Sequence, residues 1–257
     1  MPKSMVIFWG KNVLLWCLLW VGSSSVWAAE LLIWSAGATK PPVQELVLAF
    51  QASTGHKLSV DYAPVGVLMR RLAAGGRPDV LLVSAEVVSE VERQQWAVAN
   101  SAVPVGNVGI GVAVKSGAAL PDISSADALR QTLLNAKSIT YMDPQKGTSG
   151  KHFSGVLERL GIAQQVKTKT TLGDVGFVVE PVARGDIEIG IQQITEILPV
   201  QGAVLLGPLP GELQKITTYS VLLGVDAQDK PAAAEFIRFL QTPQATLVFE
   251  RTGFKKP

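Results

Sequence analysis

Small and hydroxyl residues within the stretch 141–161 are the side chains best suited to chemistry. Gly147-Thr148-Ser149-Gly150 follows a strand-like run and precedes apolar residues at helical spacing. A helix N-terminus carries unpaired N–H groups and a partial positive charge, so Thr148, Ser149 and Gly150 are suited to hold an anion. An ordinary helix with Thr148 or Ser149 as its N-cap explains the same residues equally well. The stretch alone leaves both interpretations open.

Two more small-residue turns stand between a predicted strand and a predicted helix. The apolar run 30–34 leads into Ser35-Ala36-Gly37-Ala38, and the alternating run 57–63 leads into Pro64-Val65-Gly66. Ligands of parallel α/β sheets bind beyond the carboxyl ends of the strands, where these turns lie. The turns therefore predict a binding site at one edge of a sheet.

The rest of the chain continues this alternation, which predicts an α/β fold with mostly parallel sheets covered by helices. We interpret 107–115 as a long strand that crosses to a second lobe and 217–225 as the strand that returns. The second lobe and the C-terminal part are expected to hold strands over 138–142, 167–172, 188–193 and 203–206, and helices over 126–136, 176–184, 231–241 and from Pro243 onward. The first lobe is thus predicted to span 29–108 plus 217–257, and the second lobe 109–216.

The N-terminus predicts a cleavable signal peptide over 1–28 and therefore export to the periplasm. Lys3 and Lys11 precede the apolar run 13–21, which is too short to span a membrane comfortably. Small residues at the −3 and −1 positions place cleavage after Ala28. The single cysteine, Cys17, lies in this segment, so the mature chain is expected to have no disulfide and no thiolate metal site.

Composition excludes several classes of function. Hydrophobic residues make up 47% and charged residues 17% of the chain, which indicates packed cores rather than disorder. Removing the signal segment takes away two lysines and no acid, which leaves the mature chain without net charge. Nucleic-acid binding therefore has no electrostatic support.

The order of elements from Leu31 to Phe254 resembles that of type II periplasmic solute-binding proteins, and among them the molybdate-binding family. The matching landmarks are Ser35-Ala36-Gly37-Ala38, the run from Leu68 to Asp79, the stretch from Asp143 to Gly161, Glu188 to Gln193, and Gly253-Phe254. The resemblance implies two lobes, each a mostly parallel sheet flanked by helices, joined by two crossing strands. The lobes would close on a small anion such as molybdate or tungstate, which an ABC permease of the inner membrane then imports.

The same resemblance assigns candidate ligand-binding residues and shows where this chain departs from the family. The candidates are Ala36, Gly37, Ala38, Val65, Gly66, Thr148, Ser149, Gly150, Val175 and Gln193. Serines are expected at the positions of Ala38 and Gly66, and a tyrosine at that of Gln193. Hydrogen bonds to a charged group are worth about 1.5–3 kcal/mol each, so these changes weaken or redirect binding. Lys40, Lys146 and Lys151 are nearby sources of attraction.

An enzyme is the main competing class, and a ligand sensor is the third. His56 and His152 are interpreted as surface residues, and no nucleophile elbow or metal-binding helix is present. Asp143 and Asp174 are possible acid–base groups, although aspartates beside turns commonly serve as caps. We therefore expect a monomeric binding protein with no catalytic residue, no metal and no cofactor. The alternative is a periplasmic enzyme or sensor that uses the same cleft on a small organic anion.

Overall fold

The computed structural model describes residue 1 and residues 28–257. The predicted signal segment, apart from its two end residues, and Cys17 lie outside the described residues. Ten strands form the two sheets: β1 Glu30–Ala36, β2 Lys57–Ala63, β3 Val80–Ser84, β4 Val103–Val108, β5 Ile110–Lys115, β6 Ile139–Met142, β7 Thr170–Gly173, β8 Ile189–Gln193, β9 Ala203–Pro208 and β10 Thr217–Leu223.

The helices alternate with these strands as the sequence predicts. They are α1 Lys40–Thr54, α2 Val65–Ala73, α3 Val88–Arg93, α4 Ala126–Asn135, α5 Thr148–Arg159, α6 Ala163–Lys167, α7 Glu180–Arg184, α8 Ile194–Ile197, α9 Lys230–Phe239 and α10 Pro243–Arg251. Gly55 ends α1 in the left-handed conformation at φ 76°, as expected of a residue that closes a helix. Ser125 caps α4, because its side chain accepts a hydrogen bond from the Ala128 N–H group.

Each sheet has five strands and repeats one plan. The first has the order β2-β1-β3-β10-β4, and the second has the order β7-β6-β8-β5-β9. Three neighbouring strands run parallel in each sheet, β2-β1-β3 and β7-β6-β8, and the two remaining strands add antiparallel pairs. The carboxyl ends of the parallel strands therefore lie at a common edge, where the small-residue turns follow.

Two crossings connect the sheets. Gly109 alone separates β4 from β5, which belong to different sheets, so the predicted continuous strand over 107–115 is in fact two strands. The Gln214 side chain ties the return crossing to the first one, because its Oε1 accepts from the Ile110 N–H at 2.9 Å and its Nε2 donates to the Ile110 carbonyl at 2.8 Å. Boundaries at 108/109 and 216/217 remain predictions.

Each sheet builds its own apolar core. Phe50, Phe236 and Phe249 are buried in the first lobe, where α1, α9 and α10 cover the sheet. Phe153 and Leu129 are buried in the second lobe beneath α5 and α4. The two sheets thus have largely separate cores, and Ile194 of α8 packs against the core of the first lobe.

Two predicted elements of the second lobe differ from the structure. Residues 163–167 form α6, and the strand predicted over 167–172 begins only at Thr170. The helix predicted over 176–184 begins only at Glu180, because Gly176 has a φ of 72° and the segment before Glu180 forms turns. Those turns bring residues 175–177 to the edge of the space between the lobes.

Candidate functional site

A cavity of about 190 Å³ lies between the lobes at the carboxyl edge of both sheets. Residues from both lobes contribute to its wall. The first lobe supplies Ala36, Gly37, Ala38, Lys40, Tyr62, Ala63, Pro64, Val65 and Tyr219, and the second lobe supplies Met142, Gly147, Thr148, Ser149, Val175, Gly176, Phe177, Gln193 and Glu196. Eight of the ten residues predicted from the sequence line this cavity; Gly66 and Gly150 do not.

The N-terminus of α5 forms one wall. Gly147 is the N-cap residue and provides no side-chain hydrogen bond, so neither Thr148 nor Ser149 caps the helix as the alternative interpretation proposed. The N–H groups of the first turn have no acceptor within the helix. Ser149 is buried at 5% exposure and lines the cavity. The wall therefore presents backbone donors and the positive end of the helix dipole to a bound anion.

Gly150 and Gly66 serve packing rather than the lining. A Cβ atom at Gly150 would lie 1.9 Å from the Met142 carbonyl oxygen, so only glycine lets α5 approach the end of β6. The Gly66 N–H donates to the Lys146 carbonyl at 2.8 Å and thereby connects the two lobes. Because this N–H group is already bonded, it is not free to hold a ligand in this arrangement.

The opposite wall carries a cluster of weak polar contacts. The Gln193 Nε2 atom lies 3.4 Å from both the Thr217 and Tyr219 hydroxyl oxygens, and the Tyr219 hydroxyl lies 3.4 Å from Thr148 Oγ1. The Oε1 atom of Gln193 is buried without a hydrogen-bond partner. Tyr219 thus supplies a phenol beside Gln193, close to where the resemblance leads one to expect a tyrosine. Burial, and after it the charge of Glu196, raises the pKa of Tyr219.

Glu196 places a carboxyl group in the cavity wall. It belongs to α8, is 6% exposed, and approaches the first lobe so closely that a Cβ atom at Gly37 would lie 2.6 Å from its Oε1. Burial raises the pKa of Glu196 to about 8, and the neighbouring Gln192 side chain and Gln193 backbone offset only part of that shift. At neutral pH the cavity therefore holds a mostly protonated carboxyl group.

Lys40 and aromatic rings complete the site. Among the described residues of the lining, Lys40 is the single lysine or arginine. Its ammonium group lies 5.8 Å from the Tyr62 ring centre and 5.2 Å from that of Phe177, which belongs to the other lobe. The Tyr62 hydroxyl is buried without a partner. Val175 stands at the rim with 66% of its surface exposed.

The predicted alternatives for catalysis are structural groups. His56 is buried rather than exposed: its Nδ1 accepts from the Ala29 N–H at 3.0 Å, and its Nε2 lies 3.5 Å from Glu235. His152 donates from Nε2 to the Leu213 carbonyl at 2.7 Å, away from the cavity. Asp143 and Asp174 both pair with Lys146, and neither lines the cavity.

Within residues 28–257, no cluster of three or more histidine, cysteine or acidic side chains is arranged to hold a metal ion. The same part of the chain contains no helix long and apolar enough to cross a membrane.

Sequence reasoning missed Glu196, Tyr219, Tyr62 and Phe177. Glu196 lies three residues after Gln193, the last residue of the predicted strand. An acidic residue at such a position is commonly part of a helix cap. A sequence signal did exist, because apolar Ile194, Ile197 and Leu198 surround Glu196. Its exposure to the cavity depends on Gly37, which is remote along the chain.

The two five-stranded sheets, the two crossings and the cleft between them define a two-lobed periplasmic binding protein. Comparison with known proteins agrees with that class. Residues 31–255 match the family model described as bacterial extracellular solute-binding protein. The chain belongs to this family.

Two relatives and one solved structure indicate which proteins this chain is similar to. An aconitate isomerase of Pseudomonas sp is 31% identical over 88% of this chain and 87% of its own length. The molybdate-binding protein of Azotobacter vinelandii is 24% identical over 88% of this chain and 90% of its own length. A solved structure of the periplasmic molybdate-binding protein from that organism superposes with a TM-score of 0.75 at 15% identity, and the match covers 88% of this chain and 99% of that one.

The comparisons confirm the predicted fold and the resemblance to molybdate-binding proteins. They support only in part the expectation that the chain is not an enzyme. Most of the relatives are binding proteins, but one relative of similar length is named as an isomerase. The comparisons therefore support solute binding as the family's property and do not exclude enzymatic activity.

Proposed function

We propose that the chain is a periplasmic solute-binding protein that takes a small organic anion with more than one carboxylate into the interlobe cavity. One observation carries this proposal: the cavity combines backbone donors at the start of α5 with Lys40 and the unpaired Tyr62 hydroxyl. These groups come from different walls. Separate carboxylates of one ligand can therefore each find a donor.

Three features favour a carboxylate over molybdate or tungstate. Ala38 and Gly66 lack the hydroxyl donors that the family resemblance implies, and the Gly66 N–H is bonded to Lys146. Apolar groups of Val65, Val175, Met142 and Phe177 line the cavity and suit the carbon skeleton of an organic acid. A tetrahedral oxyanion has no apolar part to bury there.

Family membership supports a role in import. Solute-binding proteins of this kind deliver their ligand to a membrane permease, so we propose an ABC permease as the partner of the loaded, closed form. Export through the predicted signal peptide over 1–28 would place the chain beside that permease.

Isomerisation of an unsaturated polycarboxylate is the second candidate function. The aconitate isomerase of Pseudomonas sp supports it, because that relative covers nearly the whole of this chain. A carboxyl group in the cavity wall, Glu196, provides a specific reason to consider it. Both functions use the same cleft and the same class of ligand.

A thermal-shift and calorimetric panel on the mature protein tests ligand class. The panel contains trans-aconitate, cis-aconitate, citrate, succinate, molybdate, tungstate and sulfate. A ligand present at about 100 times its Kd adds roughly 2.7 kcal/mol of stability, which gives a clear rise in Tm. A shift with polycarboxylates only supports the proposal, whereas a shift with molybdate and tungstate only would contradict it.

Lys40→Met tests the contribution of the cavity cation. The variant keeps an apolar side chain over Tyr62 and Phe177 but removes the charge, so affinity for a polycarboxylate should fall about tenfold or more. Lys57→Met is the matched control, because Lys57 begins β2 at the end opposite Tyr62 and is 75% exposed. Equal affinity of the two variants in calorimetry would show that Lys40 does not contribute to binding.

A further inference from the structure

We propose that Glu196 is the proton-transfer residue of this cavity and that it moves a proton between two carbons of a bound unsaturated polycarboxylate. This inference rests on the proposed binding of such a ligand. It assigns a chemical role to a residue that binding alone does not require.

The position of Glu196 supports the assignment. Glu196 is nine-tenths buried, yet it contributes to the cavity wall, and its Oε1 lies against Gly37 of the opposite lobe. The carboxyl group is thus held at the point where both lobes meet a ligand. Packing of α8 against the turn at 37–39 and against α1 fixes the backbone that carries it. A fixed and enclosed carboxyl group is what a general base requires.

The surroundings of Glu196 favour proton transfer over simple ion pairing. The other titratable groups of the lining are Lys40, Tyr62 and Tyr219, and Glu86 adds negative charge near Tyr219. Burial is the largest influence on Glu196, and it raises the pKa to about 8. A base whose pKa lies near the working pH is effective both in taking up and in returning a proton.

The reaction is a balanced 1,3-shift. An ionised Glu196 oxygen takes a proton from the CH₂ group next to the double bond, and the electron pair of that C–H bond forms a new C=C bond. The old double bond gives its electron pair to its far carbon, which receives a proton from the Glu196 carboxyl. The proton on this carboxyl exchanges with solvent between the two transfers, so deuterium enters at this carbon in deuterated water. No oxidant, reductant or co-substrate is needed, and Glu196 ends in its starting state.

The hydrogen-bond donors of the cavity stabilise the negative charge that forms when the proton is removed. Negative charge develops on the carboxylate next to the carbon that loses its proton. Lys40, the Tyr62 hydroxyl and the N–H groups at the start of α5 are the groups positioned to stabilise that charge. These donors thus bind the ligand and stabilise its charge, while Glu196 transfers the proton.

Proton NMR in deuterated water tests the assignment with trans-aconitate as the probe. The mature wild-type protein should bind trans-aconitate, form cis-aconitate and introduce deuterium at the CH₂ carbon. Glu196→Gln keeps the shape of the side chain, so calorimetric affinity should change by less than about tenfold while isomerisation and exchange fall by about 100-fold or more. The wild-type rate should rise with pH up to about 8, because only ionised Glu196 accepts a proton.

Glu158→Gln is the control variant, since Glu158 is an exposed carboxylate on α5, and its rate should equal that of wild type. Absence of polycarboxylate binding by wild type would overturn the proposed function itself. Binding without isomerisation or deuterium exchange would leave that function standing and overturn the role of Glu196. Equal rates for wild type and Glu196→Gln would overturn that role as well.

Discussion

Glu196 brings an ionisable group into the cavity, and its ionisation there affects folding as well as ligand chemistry. The unfolded chain releases the proton of a glutamate near its ordinary pKa of about 4.3, whereas the folded chain holds the Glu196 proton up to about pH 8. Between those values the folded state binds the extra proton. The free energy of unfolding therefore falls as pH rises through this window.

Replacing Glu196 with glutamine should remove this pH dependence. At about pH 4, below the unfolded pKa, wild type and Glu196→Gln should have similar stability, because both carry a mostly neutral side chain in the folded and the unfolded state. At about pH 8 the variant should be more stable, by an amount of order a few kcal/mol, because wild type loses free energy as pH approaches the folded pKa. Urea unfolding at both pH values measures the difference. A gap that stays constant with pH, as expected for the surface control Glu158→Gln, would contradict the burial argument.

The cavity residues that the sequence revealed share one property. Gly37, Ser149 and Gln193 all lie where a strand ends or a helix begins, and strand order predicts that such places meet at one edge. Tyr219 and Glu196 escaped notice because their position in the site depends on packing between the lobes. Periodicity along one chain segment carries no information on that contact.

At the scale of elements, the close approach of α5 and β6 positions the anion-binding turn. Gly150 stands in the first turn of α5, directly against the Met142 carbonyl that ends β6. The contact keeps the N–H groups of the first turn at the cavity wall. A larger residue at Gly150 would push the helix away from the strand.

Gly150→Ala should therefore destabilise the second lobe. Its Cβ atom would lie 1.9 Å from the Met142 oxygen, and such overpacking costs about 1–3 kcal/mol or more. Gly155→Ala on the same helix is the matched control: its Cβ meets nothing within 4 Å, so the better helix former should raise stability by about 0.5–1 kcal/mol. Thermal unfolding of both variants checks the prediction. Equal Tm values would show that the helix adjusts freely.

Most elements follow from sequence, and the exceptions have a local cause. The strand over 57–63 and the helix from Pro243 match, and the strand predicted over 30–34 extends only two residues further, because burial pattern, glycine caps and proline starts agree there. The segment 174–179 has apolar residues at helical spacing, but the left-handed Gly176 interrupts it. Val175, Gly176 and Phe177 line the cavity instead, so tertiary position overrides local preference there.

At the scale of the whole molecule, the lobes touch directly across the cleft in this structure. The Gly66 N–H donates to the Lys146 carbonyl at 2.8 Å, and Arg70 donates to the Gln145 carbonyl at 3.2 Å. Lys40 and Phe177 add a contact between the lobes at the cavity itself. The sequence predicted two lobes joined by two crossings, but no local pattern specifies how far they close.

Gly66→Ala should shift the molecule toward a more open arrangement. Its Cβ atom would lie 2.8 Å from the Lys146 carbonyl oxygen and 2.9 Å from that of Gln145, and both belong to the opposite lobe. Alanine suits α2, so the first lobe should stay folded and the strain should fall on the contact between lobes. A closed state weakened by about 1.4 kcal/mol is about tenfold less populated relative to the open one.

Small-angle X-ray scattering of the ligand-free protein should then show a larger radius of gyration, with urea stability little changed. Gly211→Ala, whose Cβ meets nothing within 4 Å, is the control that should scatter like wild type. An unchanged radius of gyration for Gly66→Ala would mean that the contact at Gly66 does not limit how closely the lobes approach.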